Sequence, residues 1–178
     1  MKMDCTTVIQ ALMESEHPEG YPEGTTLDEI QAFSTHTGIV FPPEWIAWLL
    51  NVNGAFVGGQ FLTGINTKNS LTIELVFQRH PLWKTKKYIP VAGDGLGNFY
   101  VIVTQQEYGS GHPVCFMDRE CGPQKPTFLV ASRFSIFITQ WIKKETTKES
   151  FWPFDPTTTA RVDPDLLNFS GIDLPWSK

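Results

Sequence analysis

The sequence predicts a single α+β domain in which an antiparallel sheet packs with N-terminal and C-terminal helices. Helical hydrophobic patterns lie towards both ends of the chain, and four strand-like segments separated by glycine-rich turns lie between them. With 178 residues and 41% hydrophobic content, the chain can bury one sizeable core. This arrangement favours layered α+β packing over a doubly wound βαβ fold.

The chain divides into three parts on its sequence pattern. Residues 1–23 form an N-terminal segment, with a short amphipathic helix predicted over residues 5–15 and a Pro- and Gly-rich loop after it. Residues 24–145 form the main domain. Residues 146–178 form a tail that contains prolines and two tryptophans, and these large apolar residues predict that the tail packs on the domain.

The helix that opens the main domain is predicted to begin at Thr26 and to end at Gly38. Thr26 and Glu29 have capping-box spacing, in which each side chain accepts a hydrogen bond from the other residue's backbone amide. Gly38 supplies the left-handed residue that ends a helix. Its predicted buried stripe consists of Leu27, Ile30 and Phe33.

A helix over residues 44–52 is predicted next, with a proline in its first turn. It is apolar on more than one side, so we expect it to be the central core helix. Trp45 and Trp48 are three residues apart on this helix, and we interpret both as core residues rather than as a binding groove.

Strands are predicted at residues 61–62, 88–92, 99–103, 114–118 and 128–131, and the last four form an antiparallel meander. Residues 71–78 combine helical spacing with strand-forming residue types, and we favour a helix there. A closing helix capped by Ser132 is predicted to pack on the sheet through one apolar face, made of Phe134, Phe137, Ile138, Trp141 and Ile142.

Charge and composition limit the partners that we expect. The 14 basic and 19 acidic residues leave a net charge of -5, which disfavours nucleic acid and would attract a basic protein. The longest compact apolar run is far shorter than the roughly 20 residues of a membrane-spanning helix, and no secretory signal is visible. Three cysteines, Cys5, Cys115 and Cys121, fit reduced thiols, so we expect a cytoplasmic protein without a membrane partner.

The glycine-rich segment from Gly93 to Asn98 is the first candidate site. Its G-x-G-x-G pattern leads into a strand, whereas a dinucleotide fingerprint opens a helix, so we interpret Gly93, Gly95, Gly97 and Asn98 as a structural turn. Such a turn could present Asp94 to a partner.

Two acidic residues of a second turn, Asp118 and Glu120, extend this hypothesis. Together with Asp94 they form a candidate acidic surface for a cationic partner. The alternative is a solvated edge of mixed charge, because Arg119 lies between them in the sequence.

His112, Cys115 and Cys121 are the candidates for a metal site or a nucleophile. No fourth ligand and no C-x-x-C pair accompanies them, and nothing marks a base or an oxyanion donor for Cys115 with His112 or His80. We therefore expect no metal, no cofactor and no catalytic residue, and we interpret Cys115 as an ordinary core or surface thiol.

The order of motifs over residues 24–143 resembles the SUKH superfamily (Smi/Knr type), which includes fungal cell-wall synthesis regulators and many bacterial immunity proteins. The similar segments are Thr26-Leu27-Asp28-Glu29-Ile30, Gly38 to Trp45, Leu49 to Gly54, Tyr88 to Tyr100, Val114 to Asp118, and Leu129 to Phe134 with Phe137 and Trp141. The chain departs from the family pattern at Ala55, where a second glycine often follows Asn-Gly, and in its extended tail.

The resemblance implies a non-catalytic protein-binding domain. Its most frequent role in bacteria is that of an immunity protein that binds and neutralises a cognate toxin, here one such as a basic nuclease. A regulatory scaffold in cell-wall synthesis or signalling is the alternative. A small-molecule-binding or hydrolytic domain that uses the Gly93 to Asn98 loop is a third hypothesis.

Overall fold

A six-stranded antiparallel sheet forms the centre of the molecule, and its strands follow one another in sequence order as a meander. The computed structural model describes residues 23–67, 72–147 and 152–177, so the helix predicted over residues 5–15 lies outside the described residues. The strands are β1 (Ala55–Val57), β2 (Gln60–Leu62), β3 (Tyr88–Gly93), β4 (Phe99–Val103), β5 (Val114–Met117) and β6 (Phe128–Ala131). The predicted meander is confirmed. Strand β1 was not predicted, because a strand of three residues is too short to show a pattern in the sequence.

Helices surround this sheet in the described part of the chain. They are α1 (Leu27–Thr37), α2 (Pro43–Leu49), α3 (Ile73–Arg79), α4 (Pro81–Lys86), α5 (Phe134–Thr147) and α6 (Pro156–Val162), with short 3-10 turns at Arg119–Cys121 and Pro164–Asn168. The predicted α+β class is confirmed, and α3 confirms the helical preference over residues 71–78. None of the helices seen in the described ranges is long and apolar enough to cross a membrane.

Helix α1 begins and ends as its sequence predicts. Thr26 and Glu29 form both hydrogen bonds of the capping box, and Gly38 adopts a left-handed conformation with φ 68°. Ile30 and Phe33 are buried, but Leu27 is 61% exposed, so its assignment to the buried stripe is wrong. Leu27 occupies the first position of the helix, one turn before the point where α1 reaches the core.

Helix α2 ends at Leu49, three residues before the predicted boundary. The amides of Asn51 and Val52 both donate to the carbonyl oxygen of Trp48, at 2.9 and 2.8 Å, which closes the helix in a tight turn. Trp45 and Trp48 are fully buried, and both rings pack edge-on against Phe134 of α5. Their interpretation as core residues is confirmed.

The two faces of the sheet are covered by different helices. Successive side chains of a strand point to opposite faces. On β4, Tyr100 therefore contacts Phe137 of α5, with ring centroids 5.1 Å apart, whereas Phe99 contacts Trp83 of α4 at 5.4 Å. All five residues of β4 are buried as a result.

The contacts of Ser132, just before α5, correct the prediction that this residue caps the helix. Ser132 does not cap α5: its amide and hydroxyl both donate to the carboxylate of Asp163 in the tail. Glu44 of α2 takes the capping role instead, because its carboxylate accepts from the amide of Ser135 at 2.8 Å. The tail also buries Trp152, whose ring packs on the α5 face of the sheet.

Candidate functional site

The two loops that carry the predicted acidic residues lie side by side at one end of the sheet. Phe99 at the start of β4 pairs with Met117 at the end of β5, so the β3–β4 loop ends next to the start of the β5–β6 loop. Arg119 joins them: its amide donates to Asn98 Oδ1 at 3.0 Å, and its Nη1 donates to the carbonyl oxygen of Leu96 at 3.1 Å. We call residues 94–98 and 118–120 the loop-end surface.

Asp94 organises the β3–β4 loop from within. Its Oδ1 accepts from the amides of Leu96 (2.8 Å) and Asn98 (3.1 Å), and its Oδ2 accepts from Nδ2 of Asn98 at 2.7 Å. Gly95 and Gly97 have φ angles of 74° and 97°, which L-residues with a side chain rarely adopt. Three hydrogen bonds to one half-buried side chain thus hold the loop in shape.

Asp118 has a similar internal role at the start of the β5–β6 loop. Its carboxylate accepts from the amide of Glu120 at 2.8 Å and caps the 3-10 turn that follows. Glu120 and Arg119 are exposed on that turn. The loop-end surface thus carries three carboxylates and one guanidinium, and its role towards a cationic partner stays a prediction.

Gly93 lies at the end of β3 rather than in the turn, and the reason for a glycine there is packing. A Cβ at this position would stand 2.2 Å from Cζ of Phe61. The Phe61 ring lies across Gly93 and reaches Phe99, with ring centroids 5.8 Å apart. The sequence could not reveal this contact, because it depends on β2 pairing with β3.

A cluster of aromatic rings packs beside the loop-end surface, at the start of β4. His80 stacks on Trp83 with ring centroids 4.2 Å apart, and both rings pack against Phe99. Nε1 of Trp83 donates to the carbonyl oxygen of Pro123 at 3.3 Å, which ties α4 to the β5–β6 loop. Burial lowers the pKa of His80, and the nearby Arg79 lowers it further.

Leu96 is the residue of this surface that sequence reasoning missed. It is 71% exposed at the tip of the β3–β4 loop, between the acidic positions. Single exposed apolar side chains are common on protein surfaces, and Val40 and Leu27 are exposed to a similar degree, so Leu96 is a candidate contact only through its place between the acidic residues. In the sequence it is a leucine flanked by two glycines, a pattern that predicts only a turn.

The residues considered for metal binding or nucleophilic chemistry do not come together. Cys115 is fully buried in β5, and burial raises the pKa of its thiol well above the usual value. Cys121 is exposed in the β5–β6 loop, and His112 is half-buried in the β4–β5 loop. Within residues 23–67, 72–147 and 152–177, no three His, Cys, Asp or Glu side chains are grouped so that they could hold a metal ion.

Two clefts lie where the tail meets the domain. One, of about 470 Å³, lies between the α2 N-terminus, the β4–β5 loop and the tail, and the ion pair of Arg133 with Asp165 (3.6 Å) lines it. The other, of about 480 Å³, lies between the β5–β6 loop and residues 171–173 of the tail. Neither cleft contains an acidic residue of the loop-end surface.

A comparison with known protein families finds a match over most of the domain. The sequence model of the SMI1 / KNR4 family (SUKH-1) matches residues 24–140, which extend from just before α1 into α5. No match to the chain was found among curated proteins. The α6 helix and the rest of the tail lie outside the matched residues.

Proposed function

Because this chain belongs to the SMI1 / KNR4 (SUKH-1) family, we propose that it is a non-catalytic protein-binding domain whose partner is a cognate toxin. It acts as an immunity protein in the cytoplasm, where it occludes the toxin's active site or substrate groove. The resemblance to bacterial immunity proteins supports this choice of partner. The acidic net charge of -5 favours a basic toxin, such as a nuclease.

The observation that carries the proposal is the interlocked, negatively charged loop-end surface. Its loops are held by hydrogen bonds that the Asp94 and Asp118 carboxylates accept and that the Arg119 side chain donates, so little conformational entropy is lost when a partner binds. Leu96 supplies an apolar contact, and Glu120 supplies an exposed charge. A rigid acidic surface with an apolar tip suits a basic partner through both shape and charge.

The burial of Cys115 argues against its use as a nucleophile. A cysteine nucleophile must ionise, and the buried Cys115 resists ionisation because its pKa is raised. Cys115 also lies between paired strands, with Val101 on one side and Leu129 on the other. Because Cys115 is fully buried, its sulfur is not accessible to a substrate from solvent.

Affinity capture from host cells tests the proposal. The tagged full-length chain is incubated with lysates of strains that express catalytically disabled versions of neighbouring toxin-like genes, and captured proteins are identified by mass spectrometry. Recovery of one toxin supports the immunity role. Recovery of cell-wall or signalling proteins instead would support the regulatory-scaffold function, and failure to bind any adjacent toxin contradicts the proposal.

Charge-neutral substitutions then locate the contact. We expect Glu120→Gln to weaken binding of the captured toxin about twofold to fivefold and to reduce its salt dependence, as for a single exposed ion pair. Asp28→Asn is the matched control, since Asp28 is an exposed carboxylate on α1, away from the loops. Equal effects of the two substitutions would place the toxin elsewhere on the surface.

A further inference from the structure

Strand β1 forms one edge of the sheet. It is the first strand of the meander, and among the described strands it pairs only with β2. Val57 pairs with Gln60 across two residues, Gly58 and Gly59, so β1 and β2 are joined by a two-residue hairpin loop. The φ angles of the two glycines are 60° and 88°, and a type I′ turn requires both to be positive. The Gly-Gly pair therefore fixes the register of this edge.

This register turns the backbone of Phe56 outward. In an antiparallel pair, hydrogen-bonded and non-hydrogen-bonded positions alternate along the strands. Val57 and Gln60 close the turn as a hydrogen-bonded pair, so Phe56 and Phe61 form a non-hydrogen-bonded pair. The N–H and C=O of Phe56 therefore point away from β2, and no other residue in the described part of the chain forms a hydrogen bond with them.

Apart from its short length, β1 has none of the usual features that protect an edge strand from pairing. Edge strands are commonly protected by lysine, proline, a bulge or a charged side chain. Residues 45–67 contain no charged side chain and no proline, and the pairing of β1 with β2 has no register shift. At the centre of β1 is the ring of Phe56, which is 56% exposed. The edge thus presents free backbone groups beside an exposed aromatic ring.

The Phe56 ring is the outer end of a row of aromatic rings on one face of the sheet. Phe56 lies opposite Phe61, and side chains directly opposite each other on paired strands share a face. The partly buried Phe61 ring packs in turn on Phe99, which is buried. The row therefore continues from the core to the edge, where its last ring is left open to solvent.

A second copy of the chain is the partner that suits this edge. Two β1 strands related by a two-fold axis run antiparallel, and each Phe56 then lies opposite its counterpart. The outward N–H of each Phe56 donates to the C=O of the other, and the two rings lie side by side on one face. This contact is self-complementary, as a two-fold interface requires.

Charge also favours a second copy over a cationic partner at this edge. A basic protein gains no electrostatic attraction from a segment without charged side chains. Two chains that each carry a net charge of -5 repel each other, and this repulsion is smallest where the contact itself is uncharged. The uncharged residues 45–67 include the whole β1–β2 hairpin.

We propose that two copies of this chain associate through β1, in an antiparallel pair centred on Phe56 that joins their two sheets. The inference goes beyond the proposed function, because it requires neither a toxin nor a residue of the loop-end surface. A pair of three-residue strands buries little surface, so the dimer is weak and its population rises with protein concentration.

A cysteine at position 56 tests the geometry. The Cα atoms of a hydrogen-bonded antiparallel pair lie about 5.5 Å apart, a distance that a disulfide spans. In a chain that also carries Cys5→Ser and Cys121→Ser, we expect Phe56→Cys to form an intermolecular disulfide at least about tenfold faster than Val40→Cys, as measured on non-reducing gels. Val40 is the matched control, because it is an apolar residue outside the sheet that is 78% exposed.

Sedimentation equilibrium provides a second measurement, without cysteine substitutions. We expect the wild type to dimerise at high concentration, and Phe56→Lys to weaken dimerisation at least about tenfold, because it places a charge on the edge. Val40→Lys adds the same charge elsewhere and should leave dimerisation unchanged.

A wild type that stays monomeric, or equal rates of disulfide formation at positions 56 and 40, overturns the inference. Equal dissociation constants of the two lysine variants overturn it as well. All of these measurements use the purified chain alone, so their outcome is separate from that of toxin capture.

Discussion

Replacement of Gly93 by alanine tests the packing that supports the loop-end surface. The new methyl group would stand 2.2 Å from Cζ and 2.4 Å from Cε1 of Phe61, so the ring must rotate away. The ring is partly buried and lies at the end of a flexible side chain, so it can yield without a shift of the backbone. It then loses its edge-to-face contact with Phe99.

The cost follows from these contacts. An edge-to-face aromatic pair contributes about 0.5–1.5 kcal/mol beyond the burial of its area. Added strain from overpacking brings the expected loss to about 1–3 kcal/mol for Gly93→Ala. For a chain of this length, each kcal/mol lowers the melting temperature by about 2–4 °C. Urea unfolding followed by tryptophan fluorescence measures the loss directly.

A double-mutant cycle with Phe61→Ala supplies the control. Once the ring is absent, the methyl group at position 93 meets none of the Phe61 ring atoms, so Gly93→Ala should cost less than about 0.5 kcal/mol in that background. The reasoning is refuted if Gly93→Ala costs the same with and without the Phe61 ring. The glycine would then be required by the backbone rather than by the ring.

Three further predictions concern stability. Asp163→Ala should cost about 1–3 kcal/mol, because the buried amide and hydroxyl of Ser132 lose their acceptor; Asp165→Ala, which removes an exposed ion pair, should cost less than about 1 kcal/mol in the same denaturation assay. Thr26→Ala should lower the free energy of unfolding by about 0.5–2 kcal/mol, because the capping box is lost. Thr26→Ser keeps the capping hydroxyl and should retain most of that stability. Burial lowers the pKa of His80 in the folded chain below 6.5, so the unfolded chain binds the proton more readily and stability falls as the pH drops through that range. His80→Phe should therefore lose less stability than the wild type between about pH 7.5 and 5.5; an equal loss contradicts the assignment.

Features that depend on neighbouring residues can be predicted from the sequence. The capping box of Thr26 and Glu29 spans three residues, and the strand segments from β3 to β6 are indicated by their own composition and by the turns between them. Two tryptophans on one apolar helix were sufficient to identify the core. The family resemblance was recognisable for the same reason, because its motifs are local.

Features that join distant segments could not be predicted and become visible in the folded chain. Glu44 caps α5 through Ser135, which is 91 residues away in the sequence. Ser132 does not cap the helix because it donates to Asp163, which is 31 residues away. The packing of Gly93 against Phe61 and the union of the two loops through Arg119 likewise require the strands to be paired first. Local propensity cannot predict such contacts, because a hydrogen-bonding or apolar group has many possible partners until the chain fold brings one of them within reach.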